Sequence, residues 1–256
     1  LRKMMSIIFI SLFLTPLIFS DEDPEILWRY TTGGRIITAP VEGKDNTVYF
    51  CSEDRFLYAL KNDGELKWRL NLEDRLTDTL VIGYDNTIYT GSKRGFFIAV
   101  NPAGEQIWKV KVEGEPFGNP AVLKDGTIFL TTKKGWLYSI SHTGFIHWKV
   151  KLPAEPVLSP VIGKDIYIGL ANERIYAYSI NGIQKWMFLL SGLPLSFALS
   201  GNSIYAGTKN STLVSIDHEG SRKWNISLSG SVNAIAILSE NRIVCSTGNN
   251  ITMIDS

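Results

Sequence analysis

The chain has only two cysteines and three histidines in 256 residues. That is too few for a disulfide framework, and neither residue type shows metal-ligand spacing. Basic excess is lacking as well. Against 26 lysines and arginines stand 25 acidic residues, a net charge of +1, so the charge pattern gives no footing to a nucleic-acid binder. Long apolar runs are missing. The longest, "IIFISLFLTPLIF" from Ile7 to Phe19, falls short of the ~20 residues of a membrane helix. Beyond it no segment sustains a helical apolar period. No Gly-x-Ser-x-Gly, phosphate-loop or His-Glu-x-x-His motif occurs, and no Asp-x-Asp-x-Asp-Gly calcium loop.

What is abundant is apolar and aromatic material: 45% of residues are hydrophobic and 11% aromatic, enough for a substantial core. Six tryptophans are evenly placed, at Trp28, Trp68, Trp108, Trp148, Trp186 and Trp224, with steps of 40, 40, 40, 38 and 38 residues. Five of them follow a glycine by four positions: Gly64 in "DGELKW", Gly104 in "AGEQIW", Gly144 in "TGFIHW", Gly182 in "NGIQKW" and Gly220 in "EGSRKW". Only Trp136 stands outside the series. A fixed period of this length marks a repeat architecture.

Each unit contains four short β-rich runs. Two lie in stretches such as "KDNTVYFCSEDRFLYAL" (44–60) and "YDNTIYTGSKRGFFIAV" (84–100). One precedes the pair, as in "NPAVL" (119–123), and one carries the tryptophan, as in "ELKWRLNL" (65–72). Asp-Asn or Asp-Gly at 45–46, 85–86 and 125–126 supplies hairpin turns. Four antiparallel strands, A to D, in about 40 residues predict a propeller blade. The spacing therefore predicts an all-β, six-bladed β-propeller over residues 21–256. Its sixth blade has strands A to C only, and the N-terminal strand around Trp28 is expected to supply the missing D strand and cover an open edge.

The recurring Ala-x-x-x-x-Gly-x-x-x-Trp pattern, as in "ALKNDGELKW" and "AVNPAGEQIW", resembles the repeat of pyrroloquinoline-quinone-type (PQQ-like) β-propellers, non-enzymatic branch. The likeness covers residues 24–256 and implies that each tryptophan packs between neighbouring blades. In architecture it is similar to the propeller lipoprotein that assists outer-membrane protein assembly. The match departs from the family in two ways: each motif is one residue shorter than in the quinoprotein enzymes, and the usual aspartate survives only as Asp217. The calcium ligands, aspartate base and paired cysteines of the quinoproteins have no counterpart here. Neither a cofactor nor a metal is expected, and no catalytic residue.

Residues 1–20 read as a secretory signal peptide: Arg2 and Lys3, the apolar run, then Ser20 before "DEDPE". Leu1 is not the methionine of a usual start, and Met4 and Met5 are alternative starts. An uncleaved segment would be the sole membrane contact. A periplasmic or secreted monomer is thus expected, acting as a protein-interaction scaffold with an envelope-associated partner. Binding of a small molecule or carbohydrate is the alternative. The candidate partner-binding residues lie in loops joining strands B and C: Lys93 and Arg94, Lys133 and Lys134, with Arg55 one blade away. Cys51 and Cys245 align with Gly91, Gly169 and Gly207. In neighbouring blades that puts them roughly 12 Å apart, given ~4.8 Å between strands, so both are expected free. His142 and His218 are expected to be solvated turn residues, and His147 a strand-face neighbour of Trp148.

Overall fold

A computed structural model describes residues 25–239 and 242–255. The expected signal segment, residues 1–20, lies outside the described residues. Among these, the chain forms 23 strands and no helix. The strands make six antiparallel sheets ordered as they occur in the sequence: five of four strands and a last one of three. Strands occupy 41–71 in blade 1, 76–111 in blade 2 and 116–151 in blade 3. They occupy 161–189, 194–227 and 232–255 in blades 4 to 6. The six-bladed all-β fold is as the repeat predicts.

The turns follow from local chemistry. Asn46, Asn86 and Gly126 take positive φ of 58°, 66° and 82° in the A–B hairpins, where asparagine and glycine bear that conformation cheaply. Strand A is the irregular member. In blades 1 and 4 it shrinks to Val41–Glu42 and Val161–Ile162. Pro40 and Pro160 sit directly before these and cannot donate to a ladder.

In blades 1 to 5 strands B and C bury both faces, as in Phe96–Val100 and Ile128–Thr132. Their side chains build six apolar clusters, one at each of the five joints between successive blades and one of Phe50, Tyr58 and Leu60 in blade 1, against which Tyr30 packs. Tyr49, Cys51, Leu72, Leu80 and Ile98 fill the joint of blades 1 and 2; Phe129, Leu152, Ile166 and Tyr178 fill that of blades 3 and 4.

The tryptophans lock these joints from outside. Trp68, Trp108, Trp148 and Trp186 donate their indole N–H groups to Pro102, His142, Ile180 and His218 carbonyls of the next blade. The distances are 2.9, 2.7, 3.0 and 2.8 Å. Each ring lies on the glycine of that next turn. A Cβ on Gly104, Gly144, Gly182 or Gly220 would come within 2.7 to 2.9 Å of the indole of the preceding blade. So the motif glycine makes room for another repeat's tryptophan, besides turning the chain at φ near 80–90°. Inside its own blade each ring tilts against an aromatic of strand B. Tyr49, Tyr89, Phe129, Tyr167 and Tyr205 stand 5.7 to 5.9 Å from Trp68, Trp108, Trp148, Trp186 and Trp224.

Two expectations are corrected. Residues 25–34 form no strand, and the sixth sheet has three strands. The segment packs on blade 1 instead. Trp28 donates to Asn62 O at 2.9 Å and covers Gly64, while Tyr30 sits edge-on to Phe50 and Tyr58. The docking half of the closure is therefore present and the ladder half is not. Among the described residues the outer strand of blade 6, Asn250–Asp255, leaves Ile251 and Met253 exposed, at 81% and 60%.

The second correction concerns Cys245. It pairs with Thr252 and matches Ala206, which pairs with Val214; Gly207 corresponds to Ser246. One residue of offset turns a strand side chain to the opposite face. Cys51 accordingly faces blade 2 and Cys245 faces blade 5. Both thiols are free and buried, and burial pushes Cys51 up to about 12.

Trp108→Ala or Trp148→Ala is expected to lower unfolding free energy by about 3–5 kcal/mol, the usual cost of emptying a large aromatic site. Trp136→Ala should cost clearly less. Urea unfolding of the three variants measures this, and equal losses would remove the special role of the periodic series.

Candidate functional site

The D–A crossings and B–C loops share one face of the propeller. The B–C loop of blade 2 presents Lys93 and Arg94, and that of blade 3 presents Lys133 and Lys134. All four line one groove of about 740 Å³ between these blades. Arg55 is set apart. It lines a smaller adjoining recess together with Glu73, Asp74, Lys93 and Arg94. Its positive φ of 78° shows the tightness of that turn.

The crossing from blade 2 to blade 3 forms the floor. Gly114 takes φ +95°, and a Cβ there would lie 2.8 Å from Cβ of Lys134. Only glycine lets the two segments meet so closely. On either side of it, Glu113 and Glu115 point at the cations. Glu115 Oε2 receives Lys93 Nζ at 3.2 Å and Lys133 Nζ at 2.9 Å. Asp74 holds Arg94, Oδ1 to Nε at 3.6 Å, and Glu113 pairs with Lys149. Lys93, Arg94 and Lys133 are thus partly neutralised, while Lys134 has no carboxylate within bridging distance among the described residues.

Glu115 lies below its ordinary carboxyl range. Partial burial opposes the shift, but hydrogen bonds from Lys133 and Lys93 outweigh it. Lys133 is correspondingly pushed up, first by its hydrogen bond to Glu115, against partial desolvation.

The rim holds cations that sequence reasoning missed. Lys109 and Lys111 stand 4.5 and 4.6 Å over the Phe96 ring, and Lys149 and Lys151 stand 4.9 and 5.3 Å over Trp136. Arg69 does the same over Phe56, at 4.9 Å. Trp136 thereby has its reason: it opens strand C opposite Lys151, the place that Phe96 takes opposite Lys111. The available signal was the alternate-residue pair of lysines on the D strands of blades 2 and 3. Such contacts contribute about 0.5–1 kcal/mol at exposed sites and hold Lys111 and Lys149 at the groove.

The histidines differ from one another. His142 is exposed, and its carbonyl serves Trp108. His218 is half-buried and not merely solvated: its Nδ1 bonds the Tyr167 hydroxyl at 2.6 Å, and the two rings stack. The expected turn position was right and the expected freedom was wrong. His147 is exposed and meets Phe145 edge-on.

Because the folded-state pKa of Glu115 is depressed, its bridge is fully present above the ordinary value of 4.5 and is lost as pH falls through the lower folded value. A carbon-detected NMR titration should find the Glu115 midpoint below 4.5, and Lys93→Gln with Lys133→Gln should move it upward. A midpoint indifferent to both substitutions would remove the bridge.

Among proteins of known family, three overlapping segments of the chain, residues 16–122, 93–200 and 171–255, match the PQQ-like family described as outer membrane protein assembly factor BamB. No curated protein sequence matches. Among solved structures, BBS1N in complex with ARL6DN shares the fold at 18% identity and a TM-score of 0.64. That match covers 82% of this chain and 74% of BBS1N. The computationally designed Ika8 protein matches at 15% identity and a TM-score of 0.72, covering 86% of this chain and 71% of its own. BamB from Moraxella catarrhalis matches at 13% identity and a TM-score of 0.55, covering 90% and 88%. By its repeat and by these three segments, the chain belongs to the BamB family of PQQ-like propellers.

Proposed function

We propose that this protein is an exported, non-catalytic propeller that works as a protein-interaction scaffold in the cell envelope. It acts as a monomer, through the loop face of blades 2 and 3. The observation that carries this reading is the convergence of Lys93, Arg94, Lys133 and Lys134 on one groove. Export is supported by the signal pattern of residues 1–20, and the envelope by the description of the family. Protein binding accords with a neighbour of the same fold that was crystallised with a protein partner, BBS1N with ARL6DN.

The residues present do not fit the quinone of the enzymatic relatives. A multiply charged planar quinone needs a metal and rings to sandwich it. Among the described residues, no cluster of three or more His, Cys, Asp or Glu could hold a metal ion. The cavity beside strand A of blades 1 and 2 is walled by Ile36, Ile37, Leu76 and charged groups, without an aromatic ring. One feature favours the alternative of a small molecule or carbohydrate. At about 740 Å³, with Tyr138 and Trp148 in its walls, the groove has the size of a ligand site.

Reversing Lys93, Arg94, Lys133 and Lys134 to glutamate is expected to abolish partner capture from envelope extracts while the melting temperature is kept. Capture by the unaltered protein should weaken with salt. Capture indifferent to the four reversals would overturn the scaffold reading. Strong glycan-array signals without protein capture would favour the alternative. Stoichiometric quinone binding with calcium, seen as a new absorbance band, would defeat the non-catalytic reading.

A further inference from the structure

Two of the lysines belong to more than one cavity. Lys93 and Lys133 wall the groove between blades 2 and 3, and they also wall the cavity of about 810 Å³ beside Arg35, Arg75 and Asp78. The basic lining is therefore shared from the rim, at Lys111 and Lys149, to the inner strands. At the shared point both ammonium groups rest on a single carboxylate, Glu115, and neither is within bridging distance of another acid among the described residues. Over the two cavities together, eight lysines and arginines face four carboxylates, which leaves the track positive.

The chemistry selects an occupant. Val112, Ile146 and the edge of Trp148 give the groove an apolar floor between charged walls. An extended peptide suits such a lining, because its side chains alternate between two faces. A nucleic-acid strand is disfavoured by the near-neutral chain, whose net charge is +1. A bilayer presents a flat surface, whereas Lys93 and Lys133 line concave cavities of about 740 and 810 Å³.

We propose that this track binds an extended acidic segment of a partner protein, and that Glu115 is a built-in competitor for it. Its carboxylate holds Lys93 and Lys133 together in the free protein and gives way when a peptide carboxylate arrives. This rests on the scaffold reading and adds the chemistry of the partner and a residue that tunes its affinity. Glu115 then has the opposite sign of effect to its neighbours, since removing its charge should tighten binding.

The test uses the full chain and a fluorescein-labelled decapeptide of alternating glutamate and alanine, followed by anisotropy at low ionic strength. The same peptide with glutamine is the control. Glu115→Gln should tighten glutamate-peptide binding about threefold to tenfold, the scale of two released surface pairs. Lys93→Gln with Lys133→Gln should weaken it at least about tenfold, while the paired arginine substitutions keep it. Unfolding midpoints verify that every variant is folded. Equal binding of the glutamine peptide, or no tightening in Glu115→Gln, overturns the proposal. Binding to phosphatidylglycerol vesicles with no binding of the peptide overturns it in favour of a lipid surface. If the four charge reversals abolish partner capture yet Glu115→Gln leaves peptide affinity unchanged, the scaffold reading stands and the competitor does not.

Discussion

The docking of an indole ring onto the glycine of the next blade is the contact on which the rest of this protein depends. The ring reaches across a joint, donates one hydrogen bond to a turn carbonyl and lies where no Cβ fits. Repeated at successive joints, it fixes how far each sheet stands from its neighbour at the outer edge. The apolar residues of strands B and C then fill the inner part of the joint. Each unit is thus incomplete alone and is finished by the unit before it, as in other repeat proteins.

That dependence explains how the ends of the array behave. Trp28 has a glycine to cover, Gly64, and takes it without joining a sheet. Trp224 still packs on Tyr205 of its own blade, at 5.8 Å. Among the described residues no carbonyl of a following turn accepts its N–H. Side-chain docking and backbone pairing are separable at the edges of the array, at Trp28 and Trp224, whereas in blades 1 to 4 they occur together.

A frame held in this way leaves its loops free to specialise. The B–C loops of blades 2 and 3 carry lysine and arginine where that of blade 4 has Ala171 and Asn172. Nothing in the joints demands those charges. The D strands show the same freedom. Lysines stand over Phe96 and Trp136 in blades 2 and 3, whereas in blade 4 Arg174 opens strand C and Met187 and Leu189 line strand D, both exposed. The cations that stand over aromatic rings therefore fall on blades 1 to 3 among the described residues.

The sequence by itself determined the period, the number of sheets and the turns, because these depend on short-range pattern: tryptophan spacing, alternating apolar runs and Asn or Gly at positive φ. It also placed four loop cations on neighbouring blades. It did not reveal that Gly104 serves Trp68 rather than Trp108, since both lie at legible spacings and only the packing of two blades pairs them. Cys245 was misplaced for a related reason. Alignment by repeat tolerates an offset of one, but a strand does not, and the offset reverses the face. Glu115 reads as an ordinary loop acid until the crossing at Gly114 brings Lys93 and Lys133 from separate blades onto its carboxylate. Such a meeting is fixed by tertiary structure alone, because its partners lie 22 and 18 residues away in sequence and are joined only by how two sheets stack.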